Sequence, residues 1–260
     1  MTLLEKKIQE KNPVSQTYNL GVSGTNPSEY NAVIEEFAPI LHPKTIVVSY
    51  YLGNDITCKK ETIFSTILIH LRTLIKNICM EYTYKKEKEM FLQSSVISEE
   101  YKQYLQENTL DMNYVRQRIY KPNLTAEYYT TIHWFAVCEN NKQEIMDIKE
   151  SASRNNATLI VVIIPSKYQV TRMEKDPHIN IEFIFNESLL TDRQLQDAIL
   201  SFCKEQNITC IDALPPLQAS SESPYFTRDT HFNKKGHEII AEMLFSYLYP
   251  VETINQTTEG

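Results

Sequence analysis

An aspartate and a histidine, Asp229 and His231, stand two residues apart near the carboxyl terminus of this 260-residue chain. A carboxylate beside an imidazole fixes the ring in one tautomer, and the imidazole can then take a proton from a hydroxyl nucleophile. The pair therefore predicts the base half of a nucleophilic triad. The same spacing also fits an N-cap aspartate beside a surface histidine, so the rest of the chain must supply the other parts of such a site.

Two earlier loops carry residue types that such a site uses. One contains Gly21 and Gly24, and the other reads Gly53-Asn54-Asp55. A glycine lets the backbone approach a substrate closely, and an amide side chain can hydrogen-bond a developing oxyanion without carrying charge. Each loop also has a plain structural alternative: a tight turn for the first, and a turn followed by a helix cap for the second.

The elements that must position these loops follow from the apolar pattern. Apolar, β-branched runs at 45–51 and 158–164 predict buried parallel strands, and shorter runs at 17–20 and 208–211 predict two more. Helices are predicted at 2–11, 28–41, 63–78, 127–154, 191–206 and 234–248. This alternation indicates a three-layer, flavodoxin-like α/β fold, a parallel sheet with helices on both faces. Ligands of such folds bind at the carboxyl ends of the strands, where all three loops fall.

Composition narrows the function classes. The formal net charge of −7 and the pI of about 5.5 argue against a general nucleic-acid binder, which needs a basic face. Five cysteines form no CxxC pair and no metal-like cluster, so they are expected to be core or incidental thiols. No apolar run reaches membrane-spanning length and no signal peptide is visible after Met1, so the chain, read literally, is cytoplasmic.

Taken together and in this order, the three loops resemble the sequence blocks of the SGNH (GDSL-type) hydrolases. Asn-Leu-Gly-Val-Ser-Gly (19–24) is similar to the glycine block of that family, and Leu-Gly-Asn-Asp (52–55) to its asparagine block. Asp-Thr-His-Phe-Asn-x-x-Gly-His (229–237) is similar to its final block. The resemblance covers the chain to about residue 248. It implies a single domain over 1–250, with an insertion or lid at 81–125 and a polar tail at 251–260.

The resemblance implies a role for each matching residue. His231 is the general base and Asp229 its orienting carboxylate. The backbone N–H of Gly24 and the side-chain amide of Asn54 form the oxyanion hole, and loss of one such donor typically costs ~3 kcal/mol in the transition state. Asn233 and His237 are expected to be structural, with the His237 ring hydrogen-bonded to a neighbouring loop.

Two departures from the family pattern bear on activity. The final block separates its Asp and His by one residue instead of two, a spacing found in branches that resemble sugar O-acetyl esterases and transferases. The family's Gly-Asp-Ser nucleophile block should precede the helix at 2–11 and is absent. Ser23, Ser49 and Ser166 are not expected to replace it, since none stands on a turn that would expose its hydroxyl to the base.

The leading hypothesis is therefore an SGNH-type ester hydrolase that is truncated at its N-terminus. Its first strand and its nucleophile are missing, and the chain alone is expected to lack appreciable esterase activity. One alternative is a carbohydrate O-acyltransferase of the same fold, and another is a non-catalytic ligand-binding relative. In each case the partner is a small-molecule or carbohydrate ester, with no cofactor, no metal, no nucleic acid and no membrane span.

Overall fold

The computed structural model describes residues 3–22, 25–58, 123–172, 175–176, 181–182, 184–226 and 230–250, together with 89, 93, 98–99 and 102–103. The predicted helix at 63–78, most of the predicted insertion at 81–125, and the tail at 251–260 lie outside these residues. The chain forms two compact units. Unit 1 comprises Met1–Asp55, Glu144–Thr171 and Gln196–Gly260, and unit 2 comprises Ile56–Gln143 and Arg172–Leu195.

Unit 1 contains a three-stranded parallel sheet in the order β1-β2-β5. Its strands are β1 (Thr45–Tyr51), β2 (Thr158–Ile164) and β5 (Thr209–Asp212). The central strand β2 is buried at every position after Thr158, so both of its faces are covered. This burial explains the uninterrupted β-branched run, and it confirms the predicted three-layer α/β fold.

Several helices of the described chain lie where the apolar pattern predicts them. The last one, Lys234–Leu248, has the predicted bounds, and it packs on β2 through a core of Ile160, Val162 and Leu244. The α-helices of the described chain are α1 Leu3–Lys11, α2 Pro27–Leu41, α3 Leu124–Val137, α4 Glu139–Arg154, α5 Lys167–Val170, α6 Gln194–Glu205, α7 Leu214–Gln218 and α8 Lys234–Leu248.

The segment 17–20 is not a strand, which corrects the prediction made from its short apolar run. A strand needs a neighbour to take up its backbone hydrogen bonds, and β1 pairs with β2 and not with this segment. Local bonds replace a ladder here, because the Gly21 N–H donates to Asn19 Oδ1 at 3.1 Å. Tyr18 and Leu20 are accordingly 57% and 38% exposed.

The predicted helix at 127–154 is two helices that break at Cys138, which adopts an extended backbone conformation. The side-chain amide of Asn141 stabilises this break. It donates to the carbonyl oxygens of Trp134 at 3.1 Å and Cys138 at 3.2 Å, which takes up carbonyls at the end of α3. The single periodic run concealed the break, because both helices keep an apolar face.

Four of the five cysteines are paired, contrary to the expectation of free thiols. Cys58 is joined to Cys138 across 80 residues in unit 2, and Cys203 to Cys210 across seven residues in unit 1. The fifth, Cys79, lies outside the described residues. Sequence spacing did not reveal these bonds, because each depends on a turn or fold that brings distant Cα atoms to about 5–6 Å.

The described part of unit 2 contains α3 and a small antiparallel pair, β3 (Lys175–Asp176) and β4 (Ile181–Glu182). A 3₁₀ helix follows at Glu187–Leu190. The buried Tyr128 of α3 donates its hydroxyl proton to the Asp192 carboxylate at 3.1 Å, which ties the helix to the segment after the 3₁₀ turn.

Candidate active site

The carboxyl ends of β1 and β2 lie at the edge of the sheet where the site is predicted. Tyr51 stands opposite Ile164, and the Leu52 N–H donates to the Ile164 carbonyl oxygen at 2.9 Å. The chain therefore leaves the two strands side by side. The segment after β1 carries Asn54, and the segment after β2 begins with Pro165.

The asparagine loop, residues 51–55, is a tight turn that closes on itself. The Asp55 N–H donates to the Tyr51 carbonyl oxygen at 3.0 Å, and the Asp55 carboxylate accepts from the Tyr51 N–H at 2.8 Å. A Cβ atom on Gly53 would overlap the far end of the Tyr51 side chain, which would have to shift to admit it. Asn54 is exposed on this turn, while Asp55 beside it is buried.

The glycine loop, residues 19–25, includes Ser23 and Gly24, which lie outside the described residues. Just after them, the Thr25 hydroxyl donates to the Val22 carbonyl oxygen at 2.7 Å. Asn26 then caps α2: its Oδ1 accepts from the Ser28 N–H at 3.1 Å, and its own N–H donates to the Glu29 carboxylate at 2.8 Å. This capping box begins α2 at Pro27, one residue before the predicted start.

His231 belongs to the histidine hairpin, two antiparallel segments at residues 224–226 and 230–233 that precede α8. Tyr225 and Phe232 form an antiparallel bridge, and the Phe226 N–H donates to the His231 carbonyl oxygen at 3.1 Å. His231 is exposed on this histidine hairpin. Asp229, its predicted partner, lies outside the described residues, so their pairing stays a prediction.

Two side chains fasten the histidine hairpin to the end of β2. The Tyr225 hydroxyl donates to the Pro165 carbonyl oxygen at 2.5 Å, and Lys167 Nζ donates to the Phe226 carbonyl oxygen at 2.9 Å. Both residues are buried, which is unusual for a lysine. The hairpin is thereby held at the same sheet edge as the asparagine loop. Neither Tyr225 nor Lys167 was found from the sequence, where Lys167 reads only as part of a turn.

Asn233 and Gly236 join the histidine hairpin to α8. Asn233 Oδ1 accepts from the Gly236 N–H at 3.1 Å and caps the helix, while Asn233 Nδ2 donates to the Ser223 carbonyl oxygen at 2.7 Å. A Cβ atom on Gly236 would overlap the Pro224 carbonyl oxygen and the Phe232 ring. These contacts support the structural role expected of Asn233, and they give a reason for the Asn-x-x-Gly spacing.

His237 differs from expectation in its contact. Its ring meets the Phe232 ring edge-on, with 5.9 Å between the centroids. The predicted side-chain hydrogen bond to a neighbouring loop is not formed with any residue that the structure describes. The ring therefore packs on Phe232 of the histidine hairpin, which is still a structural use of the residue.

Burial dominates the electrostatics of the asparagine loop. It raises the pKa of Asp55 to about 7, although the hydrogen bonds from the Tyr51 N–H and the Tyr30 hydroxyl oppose the rise, and the nearby Glu144 carboxylate adds to it. Burial and the Asp55 charge also raise the pKa of Tyr30 and of Tyr50. The asparagine loop thus contains a carboxyl group that exchanges its proton near neutral pH.

The two described serines discussed above are placed differently from a nucleophile. Ser49 lies within β1. Ser166 follows β2 but is 1% exposed, and its hydroxyl donates to Gln169 Oε1 at 3.4 Å. A nucleophile must present its hydroxyl to the substrate, so Ser166 in this arrangement serves the turn into α5.

Two further searches cover only the part of the chain that the structure describes. There, no helix has the length and apolar character needed to cross a membrane. Within the same residues, no group of three or more His, Cys, Asp or Glu side chains is arranged to hold a metal ion.

Comparison with protein families gives one match that covers just over half of the chain. The family described as an SGNH hydrolase-like domain, acetyltransferase AlgX, matches residues 124–259. Neither a curated protein nor a solved structure matches the chain. The matched residues include β2, β5, the histidine hairpin and α8, which are the elements that support one side of the sheet edge described above. The chain therefore belongs to the SGNH hydrolase-like family.

Proposed function

We propose that this chain carries an SGNH-type site for O-acyl transfer, in which an acyl group leaves an ester oxygen and is transferred to a hydroxyl, with a carbohydrate as the preferred acceptor. The observation that carries the proposal is the shared sheet edge. The Leu52–Ile164 bond holds the asparagine loop there, and the Tyr225–Pro165 bond holds the histidine hairpin beside the next strand. Acyl-transfer sites of open α/β sheets lie at this edge.

The proposed roles follow the chemistry of each group. His231 takes the proton from an attacking hydroxyl, and Asp229 orients its ring and stabilises the imidazolium. The attacking oxygen bonds to the acyl carbon, and the Gly24 N–H and the Asn54 side-chain amide donate to the oxyanion that forms. The ester C–O bond then breaks, and His231 returns the proton to the leaving alkoxide. No metal or cofactor has a part in these steps.

A carbohydrate acceptor is proposed for two reasons. The matching family is named for an acetyltransferase, and the Asp-x-His spacing at 229–231 resembles that of sugar O-acetyl esterases and transferases. Water is the competing acceptor, and transfer to water would make the same site an ester hydrolase. A second candidate, a ligand-binding relative without turnover, is favoured by the buried and hydrogen-bonded hydroxyl of Ser166.

Binding can be tested without assuming a nucleophile. An O-acetylated oligosaccharide is titrated into isotopically labelled protein, with the deacetylated oligosaccharide as the control, while the Asn54 side-chain amide is followed by NMR. We expect the acetylated probe alone to shift this amide signal. We expect Asn54→Ala to weaken binding about five-fold, the effect of one ordinary hydrogen bond.

Turnover then separates the candidate functions. The chain is incubated with p-nitrophenyl acetate and the deacetylated oligosaccharide, and mass spectrometry measures acetate and acetylated sugar. More acetylated sugar than acetate identifies a transferase, acetate alone identifies a hydrolase, and binding without either product identifies the ligand-binding relative. Turnover is assigned to this site only if the His231→Ala variant loses it. The absence of both specific binding and His231-dependent turnover would overturn the proposal.

A further inference from the structure

One hydroxyl group lies between the glycine loop and the asparagine loop. The Tyr30 hydroxyl, on the first turns of α2, is 3.1 Å from each carboxylate oxygen of Asp55 and 3.4 Å from the Thr25 carbonyl oxygen. Thr25 directly follows Gly24, and Asp55 directly follows Asn54. A single side chain therefore contacts the immediate neighbour of each proposed oxyanion donor.

Asp55 is the other half of this link. Its side chain is 1% exposed, and its carboxylate accepts the Tyr51 N–H at 2.8 Å while it contacts the Tyr30 hydroxyl. The backbone of Asp55 also closes the turn on Tyr51. The exposed Asn54 is therefore followed by Asp55, which makes four hydrogen-bonding contacts. Two of them are to Tyr30 of α2, the helix that begins after the glycine loop.

We propose that Tyr30 and Asp55 form a positioning pair that sets the separation of Thr25 and the asparagine loop, and with it the placement of the Asn54 donor. The purpose of this pair rests on the proposed acyl-transfer function, whereas the contacts that define the pair do not depend on it. An oxyanion hole requires donors held within about 0.5 Å of the productive geometry. A loop asparagine reaches that precision only when its neighbours are fixed to rigid elements, here α2 and β1.

The proton count explains why an acid suits this position. The Tyr30 hydroxyl has one proton, so it cannot donate to Asp55 and to Thr25 at once. When Asp55 is protonated, its carboxyl donates to Tyr30 and frees the tyrosine proton for the Thr25 carbonyl, which connects both loops in one chain of bonds. When Asp55 is ionised, it draws the tyrosine proton to itself. Glu144 of α4 and Tyr50 of β1 are the other titratable groups that act on this carboxyl or its surroundings.

The first test removes one oxygen atom. Tyr30→Phe keeps the ring and loses the link, and Tyr128→Phe is the matched control because it loses a tyrosine–aspartate bond of 3.1 Å to Asp192 in unit 2. The readout is the Asn54 side-chain amide in a ¹H–¹⁵N NMR spectrum of the full chain. We expect a sharp pair of signals in the wild type and in Tyr128→Phe, and broadened or doubled signals in Tyr30→Phe.

The second test is rescue by a conservative variant. Asp55→Asn keeps an acceptor for the Tyr51 N–H and a donor for Tyr30, so it should preserve the sharp Asn54 signals, whereas Asp55→Leu offers neither and should lose them. If Asp55→Leu fails to fold, Asp55→Asn and Tyr30→Phe still decide the outcome. Two outcomes would overturn the inference and reduce the pair to a general stabilising contact. One is broadened Asn54 signals in Asp55→Asn. The other is sharp Asn54 signals in Tyr30→Phe when its melting temperature shifts by the same amount as that of Tyr128→Phe.

Binding of the O-acetylated oligosaccharide separates this inference from the proposed function. With both correct, Tyr30→Phe should weaken binding about five-fold, the equivalent of one hydrogen bond, while Tyr128→Phe leaves the affinity unchanged. If the wild type binds no acetylated sugar but its Asn54 signals depend on Tyr30, the proposed function fails and the positioning pair stands. Unchanged affinity in Tyr30→Phe, with binding intact in the wild type, contradicts the pair.

Discussion

The asparagine loop and the histidine hairpin reach the same edge of the sheet but are held there differently. The asparagine loop is closed by bonds between Tyr51 and Asp55, four residues apart. The histidine hairpin depends on bonds from Tyr225 and Lys167 that span 60 and 59 residues. The first loop thus keeps its shape through its own sequence, whereas the second keeps its place only while β2 and α5 are formed. Three predictions test this contrast, from the largest expected effect to the smallest.

The largest effect should come from the pH dependence of the asparagine loop. The pKa of Asp55 is raised from 3.8 to about 7, so the folded chain keeps a proton that the unfolded chain loses between those values. Stability from this group is therefore present at low pH and is lost as pH rises through 7, and the full difference corresponds to roughly 4 kcal/mol. Glu144 adds to the rise and the Tyr30 hydroxyl opposes it, while Asp55 in turn raises the pKa of Tyr50.

Urea unfolding at a series of pH values from about 4 to 8 checks this, with wild type and Asp55→Asn measured side by side. The neutral asparagine keeps the hydrogen bonds but has no proton to lose, so the free energy of unfolding of Asp55→Asn should gain on the wild type as pH rises. Parallel profiles for the two proteins would show that the Asp55 carboxyl does not titrate in this window.

The second effect compares Gly53 of the asparagine loop with Gly236 of α8, which packs against the histidine hairpin. Gly236→Ala forces a Cβ atom against the Pro224 carbonyl oxygen, which is backbone and cannot move freely, whereas Gly53→Ala meets only the mobile end of the Tyr51 ring. We expect Gly236→Ala to lower the free energy of unfolding by about 2 kcal/mol and Gly53→Ala by less than about 1 kcal/mol. Chemical denaturation measures both, and equal losses would remove the distinction between the two regions.

The smallest of the three effects is the loss of one long-range bond. Tyr225→Phe leaves the buried Pro165 carbonyl without the tyrosine proton, and the expected cost is about 1–2 kcal/mol. Tyr18→Phe is the control, because its hydroxyl donates to Gln16 on an exposed segment. Thermal unfolding compares them, and NMR of the His231 ring should show greater mobility in Tyr225→Phe alone. An unchanged ring signal would mean that Lys167 suffices to hold the histidine hairpin.

The fold was predictable where one periodicity dominated. The β-branched runs at 45–51 and 158–164 are the strands β1 and β2, because a strand buried on both faces leaves a continuous apolar signal. The shorter run at 17–20 has no neighbour to pair with, and the residues of a strand do not themselves specify its partner. The break at Cys138 was missed for a similar reason, since it depends on the Asn141 side chain and not on the apolar period.

The residues of the candidate site show the same division between local features, which the sequence reveals, and long-range contacts, which it does not. Asn233 and Gly236 entered through the family's final block, and their cap explains its spacing, whereas Gly53 was detectable because it serves a local turn. Tyr30, Lys167 and Tyr225 were not, because a side chain that bonds to a carbonyl or carboxylate far along the chain has no characteristic spacing. Assignment of His231 and Asn54 relied on the family resemblance, which combined motifs that are individually ambiguous.

The bond between Cys58 and Cys138 has a consequence for how this protein would survive proteolysis. It joins two points 80 residues apart, one on each side of the segment 59–122. A protease that cut anywhere within that segment would therefore produce two fragments still joined covalently. Such nicked protein would migrate as one species on a denaturing gel and separate into two only after a thiol reductant is added, so a non-reducing gel alone would not reveal the cleavage.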